Sequence, residues 1–557
     1  MLSVIIRAGL NPKEYFIKIV VPSFIVSILL IIIAIKFFSG VILYLFIVLA
    51  LLILGVALAY PYILLDNLKN KINERLHIFI TKFGTLSITD LNRKDLLKIL
   101  SEEKEELGQL AEESRKLYVL VDKWSRSLAE ACRFLAQRTP SPEFADFLDR
   151  LAFALDSGED LKEFLIKEQD IVMDDYEAFY NRVLRSLDLY KELYVSAMTS
   201  ISFLLAFAIL VPFLMPFSFI FMAVAGVFLF IVTELLIYIV IKGRLPFDRL
   251  WHTGEKPTDT DKKLNKWLRI SILLTVLLGA ILGYAYYIGL QPIAKIPYQI
   301  LVAIAFTPLA ICGIISHIEE SKVKRKEFVF PEFLRSLGSS VAAKGGGLKE
   351  SLKYLTLHDF GPLTEDLKRL YKRIALSIDS NKAWRYFGFE SCSYLIQLFS
   401  DMYARCTYLG GDPKIASEII SKNFKRIIQL RKAKYQSVQQ FVGIVYGLGG
   451  GLALALFSSL SVSKAISDIY NSMNIPETVV NIIQIQPITN AQLVEYIFFI
   501  TLIIYSAFSG ILIKTMDGGH KYVAFLHFVI TLWICAVVAY ITKMLVIKLL
   551  GTGVPIY

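Results

Sequence analysis

Apolar residues in this chain come in long blocks, each close to the roughly 20 residues that a helix needs to cross a bilayer. Nine blocks are legible, at 17–35, 38–64, 195–214, 217–241, 269–289, 294–316, 441–463, 494–513 and 523–547. The sixth contains Pro308, and the seventh carries Gly443, Gly447 and Gly449 to Gly451. Both residue types are tolerated in membrane helices whose neighbours satisfy the freed backbone. The pattern predicts an all-α polytopic membrane protein with about nine transmembrane helices.

Between the blocks the period changes to that of amphipathic helices. In 144–165, FADFLDRLAFALDSGEDLKEFL, the residues Phe144, Phe147, Leu148, Leu151 and Leu155 form one apolar stripe. That helix stops at Gly158, and a new one starts at Leu161. In 330–352, FPEFLRSLGSSVAAKGGGLKESL, the stripe is Phe330, Phe333, Leu334 and Leu337, the break is Gly345, Gly346 and Gly347, and the restart is Leu348. The shared Leu-Lys-Glu restart aligns the two segments and predicts two duplicated cytoplasmic helical-bundle domains. The expected layout is a two-span anchor at 1–65, a first domain at 66–194, spans three and four at 195–241 and a linker at 242–268. Spans five and six then occupy 269–316, the second domain 317–440, and spans seven to nine 441–557.

Composition supports this, since 55% apolar residues and a mean hydropathy of +0.55 exceed what a soluble protein carries. Charge adds an orientation. The long charged segments and linkers 242–268 and 514–522 all follow even-numbered blocks and hold most of the Lys and Arg, whereas the opposite loops offer Lys36, Lys295, Lys464 and little else. Basic loops stay in the cytoplasm, which predicts a multi-pass protein of the cell membrane with its N-terminus inside and its C-terminus outside. The N-terminal block shows no small-residue cleavage site and reads as a retained anchor.

The two charged segments differ in sign. Residues 66–194 hold 20 Lys and Arg against 26 Asp and Glu, a balance of −6, and residues 317–440 hold 22 against 13, a balance of +9. The basic groups of the second segment form three runs. One is Lys322, Lys324, Arg325 and Lys326, and another is Lys368, Arg369, Lys372 and Arg373. The third is Lys422, Lys425, Arg426, Arg431, Lys432 and Lys434. The first and third adjoin membrane blocks, where anionic lipid headgroups attract them. The middle run lies within the domain and points to a protein partner. Nucleic acid is not expected, because no aromatic-interleaved basic face accompanies these runs.

Catalytic patterns are missing. None of the 31 glycines precedes a lysine, so no P-loop is present. The five cysteines and six histidines show no ligand spacing, and Leu409-Gly410-Gly411-Asp412 is not the aspartate setting of an intramembrane protease. Glu234 is the one carboxylate well inside a block, and it is read as bonding a neighbouring helix or snorkelling, with a proton path as the functional alternative. No enzyme activity, cofactor or metal is expected.

The stretches 157–196, 330–352, 408–424 (YLGGDPKIASEIISKNF, with Gly410 and Gly411) and 430–448 (LRKAKYQSVQQFVGIVYGL) resemble the platform proteins of archaella and type IV pili, and through them the type II secretion F domain. The run Gly345 to Gly347 is unusually glycine-rich for that family, and Cys392 and Cys406 stand where small residues are expected. The resemblance implies a non-enzymatic membrane platform beneath a growing filament. A hexameric secretion-type ATPase would dock on its cytoplasmic domains, and pilin- or archaellin-like subunits would join the filament. Other motor components, a homo-oligomeric state and membrane lipids complete the implied partners, with the three basic runs as the ATPase-facing residues. An adhesive or DNA-uptake pilus platform is the alternative within the family, and a membrane transporter the alternative outside it.

Overall fold

The computed structural model describes residues 5, 11–37, 41–213, 218–245, 248–254, 257–343, 347–472 and 490–549. Among them the ordered backbone is helical, and the one strand-like pairing is a bridge between Trp251 and Ser393. Gly345 and Gly346 lie outside the described residues.

Local chemistry sets the helix ends. Asn92, Ser127, Ser141 and Asp379 cap helices by accepting from the backbone N–H of Asp95, Glu130, Phe144 and Lys382. Gly158 and Gly410 adopt φ of 79° and 84°, a conformation that glycine enters without steric cost. Each stands three residues before the next helix, which begins at Leu161 or Pro413.

Those matching turns reveal the register of the repeat. Six main helices follow one order in each half. The first set is Val41–Ser87, Arg93–Glu102, Gln109–Asp122, Leu128–Ala136, Pro142–Asp156 and Leu161–Ala208. The second is Leu309–Ala343, Leu348–Leu355, Thr364–Ala375, Ser380–Glu390, Tyr394–Tyr408 and Pro413–Ser472. Corresponding helices after the first begin 252 to 255 residues apart. This corrects the expected alignment. The Phe144 hairpin matches Tyr394–Tyr408 and its turn, while Phe330, Phe333, Leu334 and Leu337 fall opposite Leu76, Phe79, Ile80 and Phe83, and all eight of these residues are buried. A Leu-Lys-Glu start after a break suits many amphipathic helices, so it does not fix which helix of the series it opens. Packing repeats as well. A Cβ on Gly84 would strike the Gln169 side chain, and one on Gly338 would lie 2.7 Å from the Pro413 carbonyl, so in each half a first-helix glycine touches the sixth helix.

Two compact units result. One comprises Met1–Phe179, Leu334–Ser351 and Asp401–Arg426, and the other Tyr180–Phe333, Leu352–Ser400 and Ile427–Tyr557. The second charged segment is therefore divided between units rather than forming one body. In the first unit Phe79, Phe83, Phe144 and Phe147 form a buried cluster with ring centroids 5.6–6.5 Å apart. The Asn423 amide donates there to Thr81 Oγ1 at 2.8 Å and to Gln169 Oε1 at 2.7 Å.

Six helices among the described residues are long and apolar enough to cross a membrane: Pro12–Ile32, Phe219–Gly243, Asp259–Ile288, Pro413–Asp468, Ala491–Asp517 and Lys521–Val546. Tyr298–Phe306 and Leu309–Ala343 make a seventh if counted as one span, bent by 44°. Pro308 stands at the break, where it withholds a backbone donor. Residues 41–64 of the block expected at 38–64 belong to Val41–Ser87, and residues 195–208 of the block expected at 195–214 belong to Leu161–Ala208, so neither stretch forms a helix of its own; residues 38–40 and 214 lie outside the described residues.

Candidate partner interface

Each basic run mixes exposed cations with cations that are buried or half-buried against carboxylates, so its residues do not form one surface. In the first unit Lys422 is exposed and pairs with Asp170 at 2.6 Å. Arg426, four residues on, reaches Glu177 at 2.6 Å and also Asp174. Arg405 binds Glu103 at 2.6 Å, and Glu103 also pairs with the buried Lys82. Burial pushes the Lys82 ammonium down from its ordinary range, and the nearby Glu106 acts in the opposite direction. The opposite charges of the two sequence segments thus meet within one unit. Part of the +9 balance has an internal explanation.

In the second unit Arg431 and Lys434 are buried, not displayed. The Arg431 guanidinium donates to both carboxylate oxygens of Glu327 at 2.8 and 2.9 Å, to Asp248 at 2.7 Å and to the Arg249 carbonyl at 2.6 Å. Lys434 donates to the other oxygen of Asp248, which also accepts from Tyr180 at 3.0 Å. Ser393 donates to Glu327 at 2.6 Å. Burial alone would raise the Asp248 carboxyl, but the Arg431 and Lys434 charges outweigh it and hold the group well below the usual carboxylate range. Lys425 and Lys432 face outward from the same helix.

The run at 322–326 behaves similarly. Lys324 pairs with Glu320 at 2.9 Å and Asp517 at 3.4 Å, and Lys514 reaches the same two carboxylates at 2.7 and 2.6 Å. Lys326 binds the buried Asp366 at 2.7 Å. Lys322 pairs with Glu319 at 3.1 Å, and Lys322 and Arg325 are exposed.

On Thr364–Ala375 the four cations divide. Arg369 binds Asp366 at 2.5 Å, and Arg373 holds Glu390 through both nitrogens, one bond being 3.0 Å. Lys368 and Lys372 point outward, Lys368 with the surface partner Glu365 at 3.0 Å. Leu367 and Leu370 are buried on the other side, and Leu376, just past the helix, is 76% exposed. A basic edge bordered by an exposed leucine is suited to an acidic, partly apolar protein surface.

Reading the cations alone missed Asp248, Glu327 and Glu390, because no local pattern marks a carboxylate whose partner is far along the chain, and it also missed Glu320, which pairs with Lys324 four residues on as well as with Lys514. Glu234 is buried and accepts from Tyr194 at 3.4 Å, in keeping with a bond to a neighbouring helix. All five cysteines are buried, and burial pushes the Cys132 thiol up to about 12.

The family model described as "Type II secretion system (T2SS), protein F" matches residues 79–212, the first of the two six-helix series from Phe79 onward. The chain is 70% identical to Flagella accessory protein J of Methanocaldococcus jannaschii over 552 residues, 99% of this chain and 98% of that protein. It is 53% identical to Flagella accessory protein J of Methanococcus voltae over 557 residues, 100% of both chains. No solved structure matches the chain.

Proposed function

The chain belongs to the Flagella accessory protein J family, and from that premise we propose that it is a membrane platform that couples a cytoplasmic secretion-type ATPase to the insertion of filament subunits, and to rotation of the filament. The observation that carries the coupling is the 60-residue helix Pro413–Ser472. It starts at the Gly410 turn, passes through the third basic run and continues into the apolar block 441–463 without a break. At 1.5 Å per residue it is a rod of about 90 Å. A continuous helix of that length offers a direct path for displacement between its cytoplasmic end and its membrane end. The buried pairs of Arg431 and Lys434 resist slippage where the charged sequence gives way to apolar sequence.

For the ATPase dock the reading takes the exposed edge of Thr364–Ala375. Reversing Lys368 and Lys372 to Glu is expected to weaken ATPase binding by about 1.5 kcal/mol or more for each close charge pair at low salt, and by less at high salt. Arg369 and Arg373 are left in place, because reversing them would set like charges beside Asp366 and Glu390. Binding of the purified ATPase to the full chain reads the result, with reversal of Lys94 and Lys98 in the first unit as the comparison. Equal loss in both variants would remove this edge as the dock.

The proposed topology has its own test. Single cysteines at the exposed positions Glu130 and Glu365 should react with an impermeant maleimide only from the cytoplasmic side, and one at the exposed Lys295 only from outside. Labelling of Glu130 and Lys295 from one side would reverse the assignment.

A further inference from the structure

A cavity of about 950 Å³ in the first unit is lined from helices Gln109–Asp122 and Leu128–Ala136, and by Leu68 of Val41–Ser87. None of the three basic runs contributes to it. Leu68 stands three residues past 41–65, a stretch without a single charged residue. At helical rise that is about 5 Å beyond the apolar stretch, which the proposed topology puts at the depth where headgroups begin.

Two aromatic rings line the cavity while facing water, Trp124 at 64% and Phe134 at 42% exposure. Tryptophan at this level is suited to the boundary between acyl chains and water. The wall also holds the charged residues Glu112, Glu113, Arg115, Lys116 and Arg138, of which Glu113 and Arg138 carry the argument. Glu113 is 1% exposed, and its Oε1 accepts from Lys116 at 2.6 Å. Its Oε2 is buried and has no hydrogen-bond partner among the described residues. A buried carboxylate oxygen in that condition calls for an N–H or O–H donor. The Arg138 guanidinium lies 3.6 Å from the Phe134 ring centroid and donates to the Phe134 carbonyl at 3.1 Å. Its side chain is exposed and forms no ion pair among the described residues, which leaves donors for a phosphate.

An acceptor and an anion-binding fork, with aromatic surface at headgroup depth, match a ligand that carries an amine and a phosphate on an apolar stem. We propose that this cavity binds the headgroup of an aminophospholipid, its phosphate on Arg138, its ammonium on Glu113, and its glycerol and first methylenes against Trp124 and Phe134. Such a lipid would tie the foot of the first unit to the bilayer independently of whatever docks on the basic edge.

The test uses the full chain in detergent with phosphatidylethanolamine, phosphatidylcholine or soluble phosphorylethanolamine, and reads bound lipid by native mass spectrometry. The two lipids share phosphate and net charge, but choline has no N–H to offer Glu113. One ethanolamine lipid per chain should be retained about tenfold more strongly than the choline lipid, the scale of one charge-assisted hydrogen bond. Glu113→Gln should erase that preference, whereas Arg138→Ala should weaken both lipids and leave the preference in place. General loss of structure would not separate the two variants in this way. Equal retention of both lipids by the unaltered protein, or a preference that survives Glu113→Gln, would overturn the assignment. So would competition by phosphorylethanolamine at concentrations matching the lipid, which would give the cavity to a soluble ligand.

Discussion

Replacing Arg431 with methionine should destabilise the second unit by about 3–5 kcal/mol, the range for breaking a buried ion pair from one side. The cause is what remains rather than what is removed. Glu327 and Asp248 would stay out of water, Glu327 with Ser393 as its neutral partner and Asp248 with Lys434. Adding Glu327→Gln to Arg431→Met removes the stranded charge and should recover part of the loss, a coupling of about 0.5–3 kcal/mol. By contrast, Lys422→Ala in the exposed pair with Asp170 should cost no more than about 1 kcal/mol. Thermal unfolding of the full chain in detergent distinguishes these outcomes, and equal midpoints for Arg431→Met and Lys422→Ala would contradict the buried cluster. The same cluster has a pH signature. The Asp248 carboxyl is held below its ordinary value of 3.8, so the unfolded chain binds its proton more readily. Its contribution is therefore complete above 3.8 and is lost as the pH falls from there toward the folded value. The stability gap between the unaltered protein and Asp248→Asn should narrow in that window and stay constant above it.

A leucine at Gly510 should cost about 3 kcal/mol, near the top of the usual range for overpacking, whereas a leucine at Gly451 should change stability by about 0.5 kcal/mol or less. Both glycines sit inside long helices of the apolar region, and by composition they are equivalent. A Cβ at Gly510 would lie 2.5 Å from the Ala524 carbonyl oxygen and 3.2 Å from the Phe528 nitrogen, and a backbone cannot rotate away as a side chain can. A Cβ at Gly451 meets nothing within 4 Å. The close approach at Gly510 is matched at Gly313, whose Cβ would lie 2.5 Å from the Leu526 nitrogen, so two helices use glycine to reach the start of the last one. Unfolding midpoints, together with the fraction of each variant recovered as monodisperse protein, measure the contrast. Comparable loss in both variants would mean that the Ala524–Leu549 helix does not pack as described.

Much of the fold was open to reading along the chain. Phe144, Phe147, Leu148, Phe330, Phe333 and Leu334 are buried as their helical spacing required, and Leu161 and Leu348 open helices at the breaks that the glycines announced. The resemblance in the same stretches agrees with family membership at 70% and 53% identity. The register of the repeat was less legible. One hairpin resembles another wherever a short turn joins two amphipathic helices, and only the full series of six shows which helix matches which.

By itself the sequence determined the properties that depend on neighbours three or four residues away: the helical state, the apolar blocks, the buried stripe of each amphipathic helix and the stops between them. The tertiary structure alone decided which cations face water. Arg431 and Lys432 are adjacent in one basic run, yet one is buried and the other exposed. The carboxylates that receive Arg431 stand 104 and 183 residues away. A long side chain takes its charge state and exposure from whatever the fold brings within a few ångströms of its end. For a cation leaving water, the Coulombic gain from a distant carboxylate must offset the lost hydration, and no window of local sequence contains that carboxylate.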